Sequence, residues 1–383
     1  MTYPAQWRPR VLVCGTGFGR VYLAALRLAG MPFELAGILA RGSPRSQACA
    51  RAYQVPLYTD IEQVPADVQV ACVVLNSGLN GGRGAEVAQQ LMARGIHVLQ
   101  EHPLHQAELA GCLRQARRNS VVYHLNTHYV HVGAVACFVR AARRLLADQP
   151  ALFVDALTSF QVLYTLIDIL GQSLGGIRPW SVTSLAPPTA AGSEVLRTVN
   201  VLLGEVPVTL RIQNQVHPTR RDSGAHIMHR VTLGTEGGNL LLATTQGPVL
   251  WSPRLHMPAD YQQAVTIAES GAEDLDLPSV SWLTAPGGPS YREVIGQEWP
   301  RAAAQALLAL RQAILDGADP LPAGQYQLAV CRLVADITAR LGSPEVQVSG
   351  EPAIRRASEL VCGGDPARTA QPFSLSQASP ADR

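Results

Sequence analysis

The residues best suited to chemistry crowd into the first third of the chain. Gly15-Thr16-Gly17-Phe18-Gly19-Arg20 follows an apolar run, Val11–Cys14, and opens a helix-forming stretch. In that context backbone N–H groups and the positive end of a helix approach a pyrophosphate. Gly15 permits the tight turn and Gly17 the close approach, while Arg20 stands where the usual spacing has a third glycine. The second apolar run ends at Arg41-Gly42-Ser43-Pro44-Arg45-Ser46. An acidic residue placed there would bind ribose hydroxyls, and none is present. Arg41, Ser43, Arg45, Ser46 and a helix N-terminus instead suit a 2′-phosphate, so the expected cofactor is NADPH (NADP). The competing reading makes both arginines ordinary solvated side chains.

Six of the ten histidines fall between His97 and His131. His102-x-x-His105 and His124-x-x-x-His128-x-x-His131 invite a metal reading, but they sit at strand ends and in loops, with no helical His-Glu-x-x-His and no matching cysteine set. A cluster beside the cofactor explains them with less, and no metal is expected. Gly171-Gln172-Ser173-Leu174-Gly175 has the letters of a serine nucleophile elbow, which needs a strand before it and a helix straight after. Gly176 and Pro179 discourage that helix, so the segment is expected to be a loop. The chain contains no lysine, and all 31 basic residues are arginine. A Walker-type phosphate loop is therefore excluded.

The elements that must position these groups follow from periodicity. Short apolar runs at Val11–Cys14, Leu35–Leu39, Leu57–Tyr58, Val70–Leu75, His97–Gln100 and Val121–Leu125 read as strands. Val21–Ala29, Arg45–Tyr53, Gly84–Arg94 and Glu108–Asn119 between them carry helical spacing, and Ser43-Pro44 is a good helix start. Val132–Ala147 reads as a linking helix. Strands then follow in succession at Leu152–Leu163, Val206–Gln215, His229–Leu233, Asn239–Thr245 and Pro248–Trp251, with helices at Pro300–Leu315 and Tyr326–Leu341. The expectation is an α/β chain. Residues 1–127 form a Rossmann-type, doubly wound parallel sheet binding NADP, and residues 128–350 an α+β substrate and dimerisation domain with a mostly antiparallel open sheet. Residues 351–383, rich in Pro, Ser, Gln and Ala, read as a disordered tail.

Composition narrows the partners. A chain of 383 residues, 47% hydrophobic, exceeds one ordinary domain. A net charge of +2 with no long run of either sign argues against nucleic acid. Seven scattered cysteines in apolar surroundings read as reduced thiols. The first residues lack a signal-peptide pattern and no stretch suits a membrane span, so a cytoplasmic protein with no membrane partner is expected.

With Gln100-Glu101-His102-Pro103-Leu104 ending the fifth strand, the chain resembles the glucose–fructose oxidoreductase/inositol dehydrogenase (Gfo/Idh/MocA) family. There the fifth strand ends in Glu-Lys-Pro, the lysine lying near nicotinamide and substrate, and a later Asp-x-Gly-x-His supplies the catalytic histidine. Here His102 takes the lysine's place, and Asp168-Ile169-Leu170-Gly171-Gln172 carries glutamine at the histidine's. Phe18-Gly19, Arg41–Ser46, Gln100–His105, Asn126-Thr127-His128-Tyr129, Ile227-Met228-His229-Arg230 and Gly247–Trp251 resemble one branch in particular, the thiazolinyl imine reductases of siderophore biosynthesis, of yersiniabactin and pyochelin type. The likeness runs to about residue 345. It implies reduction of a thiazoline C=N bond to a thiazolidine on an intermediate tethered to the carrier of a nonribosomal peptide synthetase, and a homodimer.

Hydride attack on a C=N carbon needs a proton, or a strong hydrogen bond, at nitrogen. The resemblance puts the acid role on Tyr129 and His102. Tyrosine, with an ordinary pKa of about 10, holds its proton at neutral pH where histidine need not, which favours Tyr129 as donor and His102 as polarising or relay partner; the reverse assignment stays open. Glu101 and His102, with Asn76 and Ser77 after the fourth strand, are expected near the cofactor, and Asn126 and His128 are weaker candidates for orienting roles. The alternatives are a sugar or cyclitol dehydrogenase of the wider family, against which the missing lysine counts, and a catalytically silent NADP-binding sensor.

Overall fold

The computed structural model describes residues 4, 6–77, 81–184, 195–217, 224–257, 273–348 and 353–360. Six strands build the first sheet: β1 (Arg10–Cys14), β2 (Glu34–Leu39), β3 (Leu57–Tyr58), β4 (Val70–Val73), β5 (His97–Glu101) and β6 (Tyr123–Asn126). All pairs are parallel, in the order β3-β2-β1-β4-β5-β6. The order reverses beside β1, where an open α/β sheet holds its ligand. Val11–Cys14 and Val70–Val73 are wholly buried, as expected of strands covered by helices on both faces. The helices are α1 (Gly19–Ala25), α2 (Pro44–Tyr53), α3 (Gly84–Ala93) and α4 (Gln106–Arg118). Ser43 caps α2 and Pro44 opens it, as the sequence predicts.

After α5 (Gly133–Leu146) come β7 (Phe153–Ser159), α6 (Leu163–Leu174), β8 (Trp180–Ser184), β9 (Leu196–Leu203), β10 (Val206–Gln213), the short β11 (Gln215–Val216), β12 (His229–Thr235), β13 (Gly238–Leu242), β14 (Val249–Pro253) and β15 (Ser281–Trp282). Eight of these strands form the second sheet, ordered β15-β14-β13-β12-β7-β10-β9-β8. Its pairs are antiparallel except β7 with β10. One face packs on the helices; the other leaves Phe153 and Leu202 exposed.

The long strand expected at Leu152–Leu163 stops at Ser159, and the apolar run continues as α6. Every residue from Leu163 to Gly171 is buried, the polar face of Thr165 and Asp168 meeting protein partners instead of water, and the mostly apolar run reads as a continuation of the strand. The segment around Ser173 is therefore the last turn of a helix and not a loop. Gly175, at φ +79°, ends it. The chain closes with α7 (Tyr291–Glu293), α8 (Trp299–Leu315), α9 (Leu321–Leu341), β16 (Glu345–Val346), which pairs with β11, and α10 (Ala357–Leu360). Though late in sequence, α8 returns to the first domain: Ala303, Leu307 and Leu310 share a core with Val11, Val13 and Leu23. Of the expected tail, 353–360 is exposed and carries α10; residues 351–352 and 361–383 lie outside the described residues. No helix among the described residues is long and apolar enough to cross a membrane, and the six described cysteines are unpaired thiols.

Candidate active site

The glycine loop leaves β1 and enters α1 within four residues. Gly15 sits at φ +94°, and a Cβ there would come within 2.4 Å of the Val74 carbonyl oxygen. A Cβ on Gly17 would meet no protein atom within 4 Å, so packing does not demand glycine there; the space lies open for a ligand. The third glycine role, close helix–strand packing, falls to Gly19, whose Cβ would stand 3.4 Å from Val13 Cγ1 and 3.7 Å from Val74 Cβ. Arg20 is thus free to point outward, its Nε donating to the Gly17 carbonyl at 3.1 Å. Thr16 is buried beneath the loop.

At the N-terminus of α2, Arg41 and Arg45 are exposed and make no hydrogen bond or ion pair among the described residues. The helix has no acidic residue in its first turn. Two guanidinium groups at the positive pole of a helix repel it, and an anion bound between them relieves the repulsion. Ser43 Oγ accepts from Ser46 N at 3.3 Å, and the buried Ser46 hydroxyl donates to Ser43 O at 2.8 Å. Ser46 therefore serves the cap and is not presented to a phosphate. Open space at Gly17 and the unpaired arginine pair fit a dinucleotide carrying an extra phosphate.

The reactive end is a buried polar network. Glu101, expected as a cofactor contact, spends both oxygens inside the protein. One accepts from the Tyr22 hydroxyl and from Asn126 Nδ2 at 3.2 Å; the other lies 2.8 Å from His102 Nδ1. Asn126 Nδ2 also donates to Tyr22 Oη at 2.6 Å. His102 Nδ1 faces only acceptors, Glu101 Oε1 and Asn126 O at 3.2 Å, so it carries the proton and Nε2 is the nitrogen left for chemistry. Burial and the Glu101 carboxylate push the Tyr22 hydroxyl well above its ordinary range, which keeps it a donor. The His102 ring stacks on Tyr164 of α6 at 5.9 Å.

Tyr129 is buried, its ring 5.3 Å from that of His128 and 5.1 Å from that of His229. His229 is held in one tautomer. Thr165 Oγ1 donates to Val162 O at 2.8 Å and so accepts from His229 Nε2 at 2.7 Å, while Thr245 Oγ1 donates to Nδ1 at 3.0 Å. Burial, helped by the charge His102 can carry and opposed by a backbone bond at Val162, pushes the His229 pKa down to about 3. The same nearby charge acts on His128, so these three histidines and Tyr129 share one neighbourhood. Tyr129 follows a backbone kink: Tyr129 N donates to Thr127 O at 2.5 Å across His128, which sits at φ +55° and ψ −60°. That γ-turn is of the strained hand, costing on the order of 1–3 kcal/mol.

The remaining expected site residues divide. Asn76 is exposed beyond β4, whereas the buried Ser77 donates to Pro103 O at 2.6 Å and braces the turn after His102. His105 caps α4, accepting from Ala107 N at 3.2 Å, and is structural. Among the described residues no three His, Cys, Asp or Glu side chains gather to hold a metal. Ser173 Oγ donates back to Ile169 O at 2.8 Å, so nothing activates it. Asp168 is bound by Thr127 Oγ1, by Tyr326 Oη at 2.8 Å and by Gln172 Nε2 at 3.2 Å, which makes the Asp168–Gln172 pair a brace between β6, α6 and α9. The α6 residues that reach the reactive end are Tyr164 and Thr165, one helical turn earlier. Sequence reasoning passed over Tyr22, Tyr164 and His229 as functional positions. A hydroxyl on the buried face of α1, and threonines spaced to clamp a lone histidine, were the only signals.

This arrangement, a dinucleotide-type loop facing a buried histidine–carboxylate pair under a second sheet domain, defines a Rossmann oxidoreductase. Residues 9–127 match the oxidoreductase family with an NAD-binding Rossmann fold, GFO_IDH_MocA. Residues 149–252 match the C-terminal domain of the thiazolinyl imine reductase Irp3-like family. The first domain is thus of the GFO_IDH_MocA oxidoreductase type, and the central part of the second is Irp3-like. No curated protein matches it. Among solved structures it is similar to GenD2 from gentamicin A biosynthesis in complex with NAD, at 14% identity over 89% of this chain and 96% of that chain, with a TM-score of 0.61. An oxidoreductase domain protein from Kribbella flavida is 18% identical over 89% and 97%, TM-score 0.62. KijD10, a 3-ketoreductase from Actinomadura kijaniata in complex with NADP and TDP-benzene, is 16% identical over 88% and 99%, TM-score 0.61. These likenesses show the shared fold, and the first-domain family match makes the chain an NAD(P)-binding oxidoreductase.

Proposed function

We propose that the protein is an NADPH-dependent thiazolinyl imine reductase acting on an intermediate tethered to a nonribosomal peptide synthetase, as in siderophore assembly. The observation that carries the reading is His102 on the Glu101 carboxylate, with Tyr129 in the same buried neighbourhood, in a lysine-free chain whose second domain matches the imine reductase family. A reduced nicotinamide bound at the loop supplies the hydride. The chain's own groups manage the proton. Hydride adds to the C=N carbon, the π pair moves to nitrogen, and the Tyr129 hydroxyl donates a proton there, giving CH–NH. His102, its Nδ1–H held by Glu101, takes a proton from solvent at Nε2 and passes it to the Tyr129 phenolate, returning to the neutral imidazole. Arg41 and Arg45 support the preference for NADPH, since neither has a partner among the described residues and the first turn of α2 carries no acidic residue. The open sheet face bearing Phe153 and Leu202 supports a homodimer.

The test follows NADPH oxidation with a carrier-bound thiazoline, thiazolidine formation by mass spectrometry, and the same assay with NADH. Thiazolidine formed from NADPH and little from NADH supports the reading. Tight NADPH binding with no thiazoline turnover would sink it.

A further inference from the structure

His128 is fully buried, yet among the described residues neither ring nitrogen has a hydrogen-bond partner. Buried polar atoms in folded proteins are almost always paired, and a bulky residue is rarely held at positive φ, so this residue breaks two rules at once. What the ring does make is contacts of shape. It stands edge-on to Phe18 of the glycine loop at 5.0 Å and 88°, to Tyr129 at 5.3 Å and 83°, and to Trp299 at the start of α8 at 6.0 Å and 88°. Phe18 and Trp299 also meet each other at 5.6 Å, which closes the box on the loop side. The backbone is pinned too, since His128 N donates to Asn126 Oδ1 at 3.0 Å, and that amide's nitrogen binds Glu101. Burial pushes the His128 pKa to about 4, against the opposing pull of Glu101 and with that of His102 and His131, so the ring is neutral at neutral pH.

We infer that His128 is a positioning residue, a rigid wedge that ties the glycine loop through Phe18 to Tyr129, so that occupation of the loop sets where the phenol stands. The inference rests on Tyr129 acting as proton donor in the reaction proposed above. The wedge works by shape: the imidazole nitrogens take no part, and a ring of similar size does the same work.

The test uses the full chain labelled with 3-fluorotyrosine, the Tyr129 fluorine resonance being assigned by its loss in Tyr129→Phe. NADPH is added without thiazoline. The Tyr129 resonance is expected to shift in wild type and in His128→Phe, and to lose most of that shift in His128→Ala. In turnover of a carrier-bound thiazoline, His128→Phe should stay within about threefold of wild type while His128→Ala loses roughly 30-fold in kcat at nearly unchanged NADPH affinity, the penalty of a misplaced reacting group. If His128→Phe is as impaired as His128→Ala, the nitrogens act and the wedge is refuted. A wild-type Tyr129 resonance indifferent to NADPH refutes it as well. Absence of thiazoline turnover by wild type would strike the reductase reading alone, leaving the fluorine comparison to decide the coupling.

Discussion

The cofactor half and the reactive half of this site are built by opposite rules. The cofactor half consists of two contiguous segments, Gly15–Arg20 and Arg41–Ser46, each at the turn between a parallel strand and its helix. Its parts are backbone N–H groups, a helix pole and exposed guanidinium groups, none of which depends on a distant partner. The reactive half gathers Tyr22, Glu101, His102, Asn126, Tyr129, Tyr164 and His229 from two domains, and its side chains are held by partners distant in sequence. Changes in the first half should therefore appear as lost affinity for one cofactor, and changes in the second as lost turnover.

The sharpest contrast is Tyr129→Phe, expected to lower kcat by about 10²–10⁴-fold, the range for a general acid, at unchanged NADPH affinity. Steady-state kinetics beside a binding titration checks it; a loss under about threefold would move the acid role elsewhere. Glu101→Gln removes the carboxylate that holds His102 and is expected to cost about 10–100-fold in kcat, as for other groups acting through a neighbour. Arg41→Ala should weaken NADPH by about 10–100-fold, the value of a charge-assisted hydrogen bond, and leave NADH where it was. Equal weakening of both cofactors would break the division between the halves.

Acid should act on the reactive half and the strand ends together. Burial holds the pKa of His97 and His128 at about 4 and that of His229 at about 3, below the ordinary value of about 6.5 that each regains on unfolding. The unfolded chain thus binds more protons in this window. Stability is full above about pH 6.5 and falls as pH drops toward 4 and then 3, His124 and His131, also lowered by burial, adding to the slope. Urea midpoints between pH 7.5 and pH 5 measure this, and His128→Phe should flatten the profile by one proton. The smallest effect belongs to the cofactor half: Ser43→Ala removes the α2 cap and should cost about 1 kcal/mol in thermal or urea unfolding.

The amino-acid sequence by itself determined the parallel sheet, the glycine turn and the basic α2 start, because these depend on periodicity, turn chemistry and helix capping within a few residues. It marked His102 and Tyr129 through their place after strand ends. It did not reveal α6, whose buried, largely apolar run follows that of β7 with little break, nor that Gly19 takes the packing role that Arg20's place suggested was lost. Tertiary structure alone decided that Glu101 turns inward to hold His102, that Ser46 serves a cap, that Asp168 and Gln172 brace three elements, and that Tyr22 and His229 flank the reactive groups. Apart from the Ser46 cap, which is local to Ser43, each of these rests on a contact between residues far apart in the chain, as of Tyr22 with Glu101, Thr127 and Tyr326 with Asp168, and Tyr129 with His229. Such contacts follow from how helices and sheets pack within and between the two domains, which no local spacing of residues encodes.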